Sequence, residues 1–237
     1  MPQVHSRRIQ GGNLAMWSTH QKRILDAWGE GVVKYITDFT QFPIDDTTGD
    51  PTEYTSTVTE AGSGNTTIAQ TDASGGQVLI TTAANENDGG SYQLAGESFK
   101  TSGNELYFGT KIASNEATQS DFLVGLAVTD TALLGGVANG IYFECLDGAT
   151  GISAVTESGS SETQTDSLAT FADDTFIELE FYYNGSNVEF FINGSSVATH
   201  SATIPSTEMR VSFEYLTGAA AAKTMTLDWI RCIQFGR

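Results

Sequence analysis

The stretch that decides the fold is Ile177-Glu-Leu-Glu-Phe-Tyr-Tyr183, followed by Asn184-Gly-Ser-Asn187, Val188-Glu-Phe-Phe-Ile192 and Asn193-Gly194. Ile177, Leu179, Phe181 and Tyr183 alternate with Glu178, Glu180 and Tyr182, so an extended chain puts apolar side chains on one face and polar ones on the other. Val188, Phe190 and Ile192 resume the alternation against Glu189, Phe191 and Asn193. Asn-Gly between alternating runs is a strong short-range signal for a tight hairpin. Two consecutive hairpins with a polar outer face are therefore expected.

The same grammar continues in both directions. Residues 78–82, 106–113, 122–128, 140–146, 209–215 and 225–233 read as strands separated by Gly, Asn, Asp, Ser and Thr. About twelve strands without long intervening helices predict an all-β, two-sheet antiparallel sandwich. Residues 42–57 and 158–170 read as long surface loops, and the small residues of 218–222 as a loop with a tight turn. No fixed-period repeat is visible, which excludes a propeller or solenoid.

Composition bounds the rest. With 237 residues, 39% hydrophobic and 10% aromatic, the chain buries roughly 70% of its unfolded surface and general disorder is excluded. No run approaches ~18 apolar residues, so no membrane-spanning segment is expected. Cys145 and Cys232 are too few for a disulfide scaffold or a thiolate zinc site, and neither lies in a Cys-x-x-Cys. They read as free thiols of a reducing compartment, with a single bridge as the alternative. Residues 1–12 lack the pattern of an export signal, so folding in a cytoplasm is expected. The sequons at Asn65, Asn184 and Asn193 then read as turn chemistry.

The net charge of −18 is unevenly spread. Residues 1–25 contain Arg7, Arg8, Lys22 and Arg23, two histidines and no acid, giving +4; from Asp26 onward 7 bases face 29 acids, giving −22. The expected organisation is a basic arm over 1–31 and a sandwich domain over 32–237. An acidic body repels nucleic acid and anionic membrane, so neither is an expected partner.

Within the arm, Leu14, Trp17, Gln21, Ile24, Leu25 and Trp28 recur at helical spacings. Ser18 with Gln21 suits a capping box, and Gly29 and Gly31 a stop, so a short amphipathic helix is predicted. Its apolar stripe has two possible destinations, the body or a neighbouring molecule. The candidate interface residues are Arg7, Arg8, Leu14, Trp17, Lys22, Arg23, Ile24 and Trp28.

Chemistry is sparse. Glycoside hydrolysis needs two carboxylates flanking the scissile bond, and the Glu-x-Asp-x-x-Glu run of sandwich glucanases is absent. Glu178 and Glu180 share a face but read as a solvated surface. His5, His20 and His200 are the only histidines, and neither a Gly-x-Ser-x-Gly elbow nor a phosphate-binding Gly-rich loop is present. No catalytic residue, enzyme activity or cofactor is expected. Asn85-Glu86-Asn87-Asp88-Gly89-Gly90 offers oxygen ligands but lacks the spacing of a calcium loop, so it reads as a turn and no metal is expected. Tyr142, Tyr182 and Phe191 are candidates for stacking on sugar faces, or else for covering an edge or filling an interface.

The strands at 176–183 and 188–194, with the closing Met225-Thr226-Leu227-Asp228-Trp229-Ile230, resemble the concanavalin A-like (laminin-G-like) jelly roll over roughly residues 75–234. That fold hosts lectins, glucanases and structural modules, so the likeness implies architecture and not activity. Across the whole chain, Val4-His5-Ser6-Arg7-Arg8, Gly12-Asn13-Leu14, Thr19-His20, Ile24-Leu25-Asp26-Ala27, Val32-Val33-Lys34-Tyr35, Ser120 to Leu126 and Trp229-Ile230-Arg231 resemble virion structural proteins of tailed bacteriophages. The resemblance implies a non-enzymatic capsid decoration (cement) protein, made in the host cytoplasm and placed on the capsid surface. It implies the major capsid protein as partner and a homotrimer as the assembly. A tail-associated protein or a carbohydrate-binding adhesion module is the alternative.

Overall fold

Alternating strands account for nearly all of the chain that a computed structural model describes, residues 5–10, 13–18, 23–62 and 64–236. In order they are β1 (His5–Gln10), β2 (Asn13–Ser18), β3 (Arg23–Trp28), β4 (Val32–Thr37), β5 (Tyr54–Thr59), β6 (Thr67–Thr71), β7 (Gln77–Thr81), β8 (Gly89–Leu94) and β9 (Glu105–Ser114). There follow β10 (Ser120–Ala127), β11 (Asn139–Cys145), β12 (Gly151–Ser158), β13 (Ser161–Thr170), β14 (Ile177–Tyr183), β15 (Val188–Ile192), β16 (Ser195–His200), β17 (Arg210–Thr217) and β18 (Thr224–Phe235). The only helical element among the described residues is a 3-10 turn at Leu133–Gly135. Among the described residues no helix is long and apolar enough to cross a membrane.

Two antiparallel sheets face each other. One has the order β13-β12-β11-β10-β17-β8-β5; the other runs β16-β15-β14-β9-β18-β7-β6, with β4 also paired to β18. The inward residues interdigitate as aromatics. Phe143 of the first sheet meets Phe190 of the second edge to face at 5.3 Å, and within the second sheet Phe108 stacks on its cross-strand partner Phe181 at 5.1 Å. Such pairs add about 0.5–1.5 kcal/mol each beyond the area they bury.

The deciding stretch forms the expected hairpins. Tyr183 pairs with Val188 around Asn184, whose Oδ1 accepts from the Ser186 and Asn187 amides at 3.0 and 2.9 Å. Ile192 pairs with Ser195 around Asn193-Gly194, both at positive φ (50° and 76°), the backbone of a type I′ turn. Residues 218–222 form the expected loop between β17 and β18.

Three expectations change. The helix predicted in the arm is absent: residues 13–18 and 23–28 are β2 and β3 of a third, separate sheet, β1-β2-β3. Leu14 pairs with Trp28, Ala15 with Ala27 and Met16 with Asp26. A register shift then leaves Leu25 as an extra residue, before Trp17 pairs with Ile24. The face toward the body is thus Ala15, Trp17, Ile24 and Ala27, and the bulge breaks the strict alternation that would have marked strands. Ser18 belongs to β2, Gln21 lies outside the described residues, and Gly29 starts the turn into β4, its carbonyl accepting from the Val32 amide at 3.1 Å. Residues 158–170, read as a loop, contain the ten-residue edge strand β13, joined to β12 through Gly159-Ser160, both at φ 59°. The loop read over 42–57 ends at Tyr54, where β5 begins.

Candidate functional site

The three-stranded sheet stands on the outer face of the eight-stranded one. Ala15, Ile24 and Ala27 pack with Tyr107, Ile233 and Phe235, flanked by Trp17, Val32, Ile36 and Tyr182. Trp17 meets Tyr182 edge to face at 6.2 Å, and the Tyr182 hydroxyl donates to Glu105 at 2.8 Å. Of the two destinations open to the arm's apolar residues, the structure therefore shows packing on the body for Trp17 and Ile24. Burying such side chains contributes roughly 1.5–3 kcal/mol each.

The opposite face of this sheet is different. Leu14 and Trp28 are cross-strand partners, and they remain 40% and 46% exposed. Lys34 lies 5.5 Å over the Trp28 ring and donates to Asp26 at 2.6 Å. Gly29 closes the arrangement at φ +147°, and a Cβ there would lie 2.0 Å from Asn13 Oδ1, so only glycine fits. Arg7 and Arg8 lie in β1 opposite Met16 and Ala15, and Arg23 lies in β3 opposite Ser18. Lys22 falls outside the described residues. The interface set inferred from sequence thus divides between internal anchors (Trp17, Ile24) and an outward apolar pair (Leu14, Trp28).

The three candidate sugar-stacking residues are not brought together. Tyr142 is on the outer face of the seven-stranded sheet, opposite Gly125, and only 3% exposed. Leu133 and Val137, from the segment that folds back after β10, cover it. Its hydroxyl donates to Glu157 at 3.0 Å. Tyr182 and Phe191 lie on the outer face of the other sheet, and Tyr182 is engaged by Trp17 and Glu105. Glu180, read as solvated, is 1% exposed and accepts from the Tyr107 hydroxyl at 2.6 Å.

The sequence reading missed an acidic patch. Asp121, Glu144, Glu157 and Glu214 are outward positions of β10, β11, β12 and β17. Burial first, then the charges of Glu162, Asp166, Glu157 and Asp121, push the Glu144 carboxyl up to about 7. Gln164 Nε2 donates to it at 3.2 Å. Burial likewise raises Glu214, partly offset by the Leu134 amide donating at 2.6 Å. This face can store a proton near neutral pH. The outward residues of β11 are Gly140, Tyr142 and Glu144, so the glucanase acid run has no counterpart on that strand. The signal for these acids is the period-2 pattern of β10, β11 and β17, which puts them on the outer face.

The stretch Asn85 to Gly90, read as a turn, is a clamped turn. Asp88 is fully buried and accepts from the Ala61 amide at 2.7 Å and from the Asn85 amide and carboxamide at 2.9 and 3.0 Å. Among the described residues no group of three or more His, Cys, Asp or Glu is placed to hold a metal.

Solved structures with the same architecture include the protein of unknown function SO2946 from Shewanella oneidensis MR-1, at TM-score 0.59 and 11% identity over 88% of each chain. They also include a glycoside hydrolase family 16 endo-glucanase from Bacteroides ovatus, at TM-score 0.59 and 13% identity, covering 84% of this chain and 99% of that one. The carbohydrate recognition domain of Emp47p matches at TM-score 0.57 and 10% identity, over 88% and 98%. At such identities the likeness is one of fold, the concanavalin A-like jelly-roll sandwich. No curated protein matches the sequence. The description "SO2946-like, C-terminal domain" matches residues 73–228, most of the sandwich. The chain belongs to the SO2946-like, C-terminal domain family.

Proposed function

We propose that this protein is a non-enzymatic virion structural protein that decorates and stabilises a bacteriophage capsid, docking on the major capsid protein through the outer face of its N-terminal sheet. One observation carries the reading: the basic segment folds as a separate sheet, anchored to an acidic body by one face and presenting Leu14 and Trp28 on the other. An exposed aromatic beside an aliphatic residue is typical of an interface anchor. A body of −22 confers solubility and resists collapse onto its own kind. The resemblance of the chain to phage virion proteins supplies the partner, and the proposed assembly is a trimer near local three-fold positions of the shell.

The test is co-sedimentation with particles that lack this protein. Leu14→Asp with Trp28→Asp is expected to weaken binding by about 2 kcal/mol or more, roughly thirtyfold, without lowering the melting temperature. Undiminished binding by that variant removes the reading.

Carbohydrate binding is the second reading, favoured by the lectin domain and the endo-glucanase among proteins of the same fold. Against it, two of its three candidate aromatics, Tyr142 and Tyr182, are held by internal contacts. Glycan-array binding abolished by Phe191→Ala or Tyr182→Ala supports it.

A further inference from the structure

Residues 35–99 contain ten acids and not one lysine or arginine. This span carries β5 and β6, the strands that end the two sheets. Both lie open on the same side of the sandwich, and between them is a cleft of about 310 Å3. Val58 and Ile68 form its apolar walls, Asp50, Glu60 and Asn65 bring polar groups, and Tyr92 lies at the bottom.

The cleft has unused hydrogen-bonding capacity. Tyr92 is 1% exposed, yet its hydroxyl bonds to no described residue. Its ring lies over Gly90, where a Cβ would come within 3.1 Å of that hydroxyl. Beside the cleft but not lining it, Ser56, the cross-strand partner of Tyr92, has a buried hydroxyl with no partner among the described residues. Glu60 is held in place by the Thr66 amide, whereas the Asp50 carboxylate accepts no hydrogen bond from a described residue. Asp50 and Tyr92 line the same cleft, and burial, with the Asp50 charge next, pushes the Tyr92 hydroxyl above its ordinary range.

The strands flanking the cleft lack the usual guards of a sheet edge. β5 (Tyr-Thr-Ser-Thr-Val-Thr) and β6 (Thr-Ile-Ala-Gln-Thr) carry no charge and no proline, and Val58 is exposed. The opposite edge, β13, carries Glu162 and Asp166 and has a register irregularity with Ser167 at φ +55°. Charges and bulges are what protect an edge from pairing with another chain. The β5 side is open by comparison.

We propose that this side is the receptor for the first strand of a second copy of the chain. β1, His5-Ser-Arg-Arg-Ile-Gln10, adds to the free edge of β5, and an arginine of the Arg7-Arg8 pair enters the cleft. The strand matches in length, since β1 and β5 each have six residues. It matches in charge, since residues 1–25 hold four cations and no acid. It is also available, since among the described residues β1 ends its own sheet and pairs only with β2. An arginine stem suits the Val58 and Ile68 walls, and its planar fork suits Asp50, Glu60 and the Tyr92 oxygen. Pairing of two β5 edges would instead set acid against acid. The contact is therefore head-to-tail, and a head-to-tail contact closes into a ring when its rotation permits. It uses the edge of the N-terminal sheet, leaving the Leu14 and Trp28 face free, so it stands independently of what that face binds.

Sedimentation velocity of the full chain over a range of concentrations tests this. The wild type is expected to self-associate at low salt and to dissociate near 1 M salt, where the Debye length is only about 3 Å. Arg7→Glu with Arg8→Glu, and separately Asp50→Lys, are each expected to weaken association at least about tenfold. Mixing the two variants restores the contact between unlike copies, because the reversed charges again oppose. A wild type that stays monomeric at every concentration overturns the proposal, as does an oligomer indifferent to both variants and to salt. Salt dependence of the wild type serves as the readout should a variant fail to fold.

Discussion

Replacing Glu144 by Gln removes the most perturbed of the outward carboxyls while keeping its shape and its contact with Gln164. In the folded protein this carboxyl is pushed from 4.5 to about 7, first by burial and then by Glu162, Asp166, Glu157 and Asp121. At 1.36 kcal/mol for each tenfold change in proton affinity, ionising it costs the folded state about 3 kcal/mol relative to the unfolded chain. Its partial contact with solvent reduces the expected effect to about 2 kcal/mol. The folded state binds this proton more tightly than the unfolded state does. Its contribution is thus fully present below about 4.5 and is lost as the pH rises toward about 7. Glu144→Gln has nothing to ionise. The variant should unfold at nearly the wild-type urea concentration at pH 4 and be about 2 kcal/mol more stable at pH 8, with an unchanged slope. Equal midpoints at pH 8, or the same gap at both pH values, would refute the reasoning.

Two further changes probe other layers. Gly29→Ala puts a Cβ against Asn13 Oδ1 at a φ that side chains rarely adopt; the strain of about 1–3 kcal/mol should loosen the N-terminal sheet, read as faster proteolysis before residue 32 and altered Trp17 fluorescence. His200 is buried between Thr156 and Thr165, whose hydroxyls lie 3.1 and 2.9 Å from its two ring nitrogens, and burial lowers its proton affinity. A lowered value contributes stability above about 6.5 that is lost as the pH falls, so His200→Gln should flatten that part of the stability profile in thermal melts.

How far the fold could be read depended on how strongly each strand's inner face differed from its outer face. In β14 and β15 the inward residues are Ile, Leu, Phe and Val and the outward ones mostly Glu, so the period of two is plain. In β13 the inward Thr163 and Thr165 sit among Ser, Glu, Gln and Asp, and at an edge they need bury little, so the same period carried no apolar signal. In β3 the bulge at Leu25 moved Ile24 off strict alternation with Ala27, and the spacing of the apolar residues across β2 and β3 then imitated a helix. The candidate site was legible in its charge, which separates residues 1–25 from the rest. It was not legible in its neighbours. Leu14 and Trp28 are adjacent only because β2 and β3 pair, and a helix would have put them four turns apart, ~21 Å along its axis.

The acids show a more general limit of reading strands. Alternation says which residues face the first sheet's core, and assigns the others to water. That holds only where nothing covers the outer face. Here the N-terminal sheet is packed at Tyr107 and Tyr182, beside Glu180. The segment carrying Leu133 and Leu134 lies over Leu123, beside Glu214. Glu144 is hemmed in by strand neighbours, with Gln164 of β13 reaching across to it. Under each covering layer an outward glutamate acquired a donor instead of solvent, the Tyr107 hydroxyl for Glu180 and the Leu134 amide for Glu214, whereas Glu144 keeps part of its solvent and takes its donor, the Gln164 carboxamide, from its own sheet. A buried carboxyl is costly unless it is hydrogen-bonded or keeps its proton, so covering layers and perturbed acids arise together. The glutamates of an amphipathic strand therefore mark, by their donors, where a second layer has settled on the sheet.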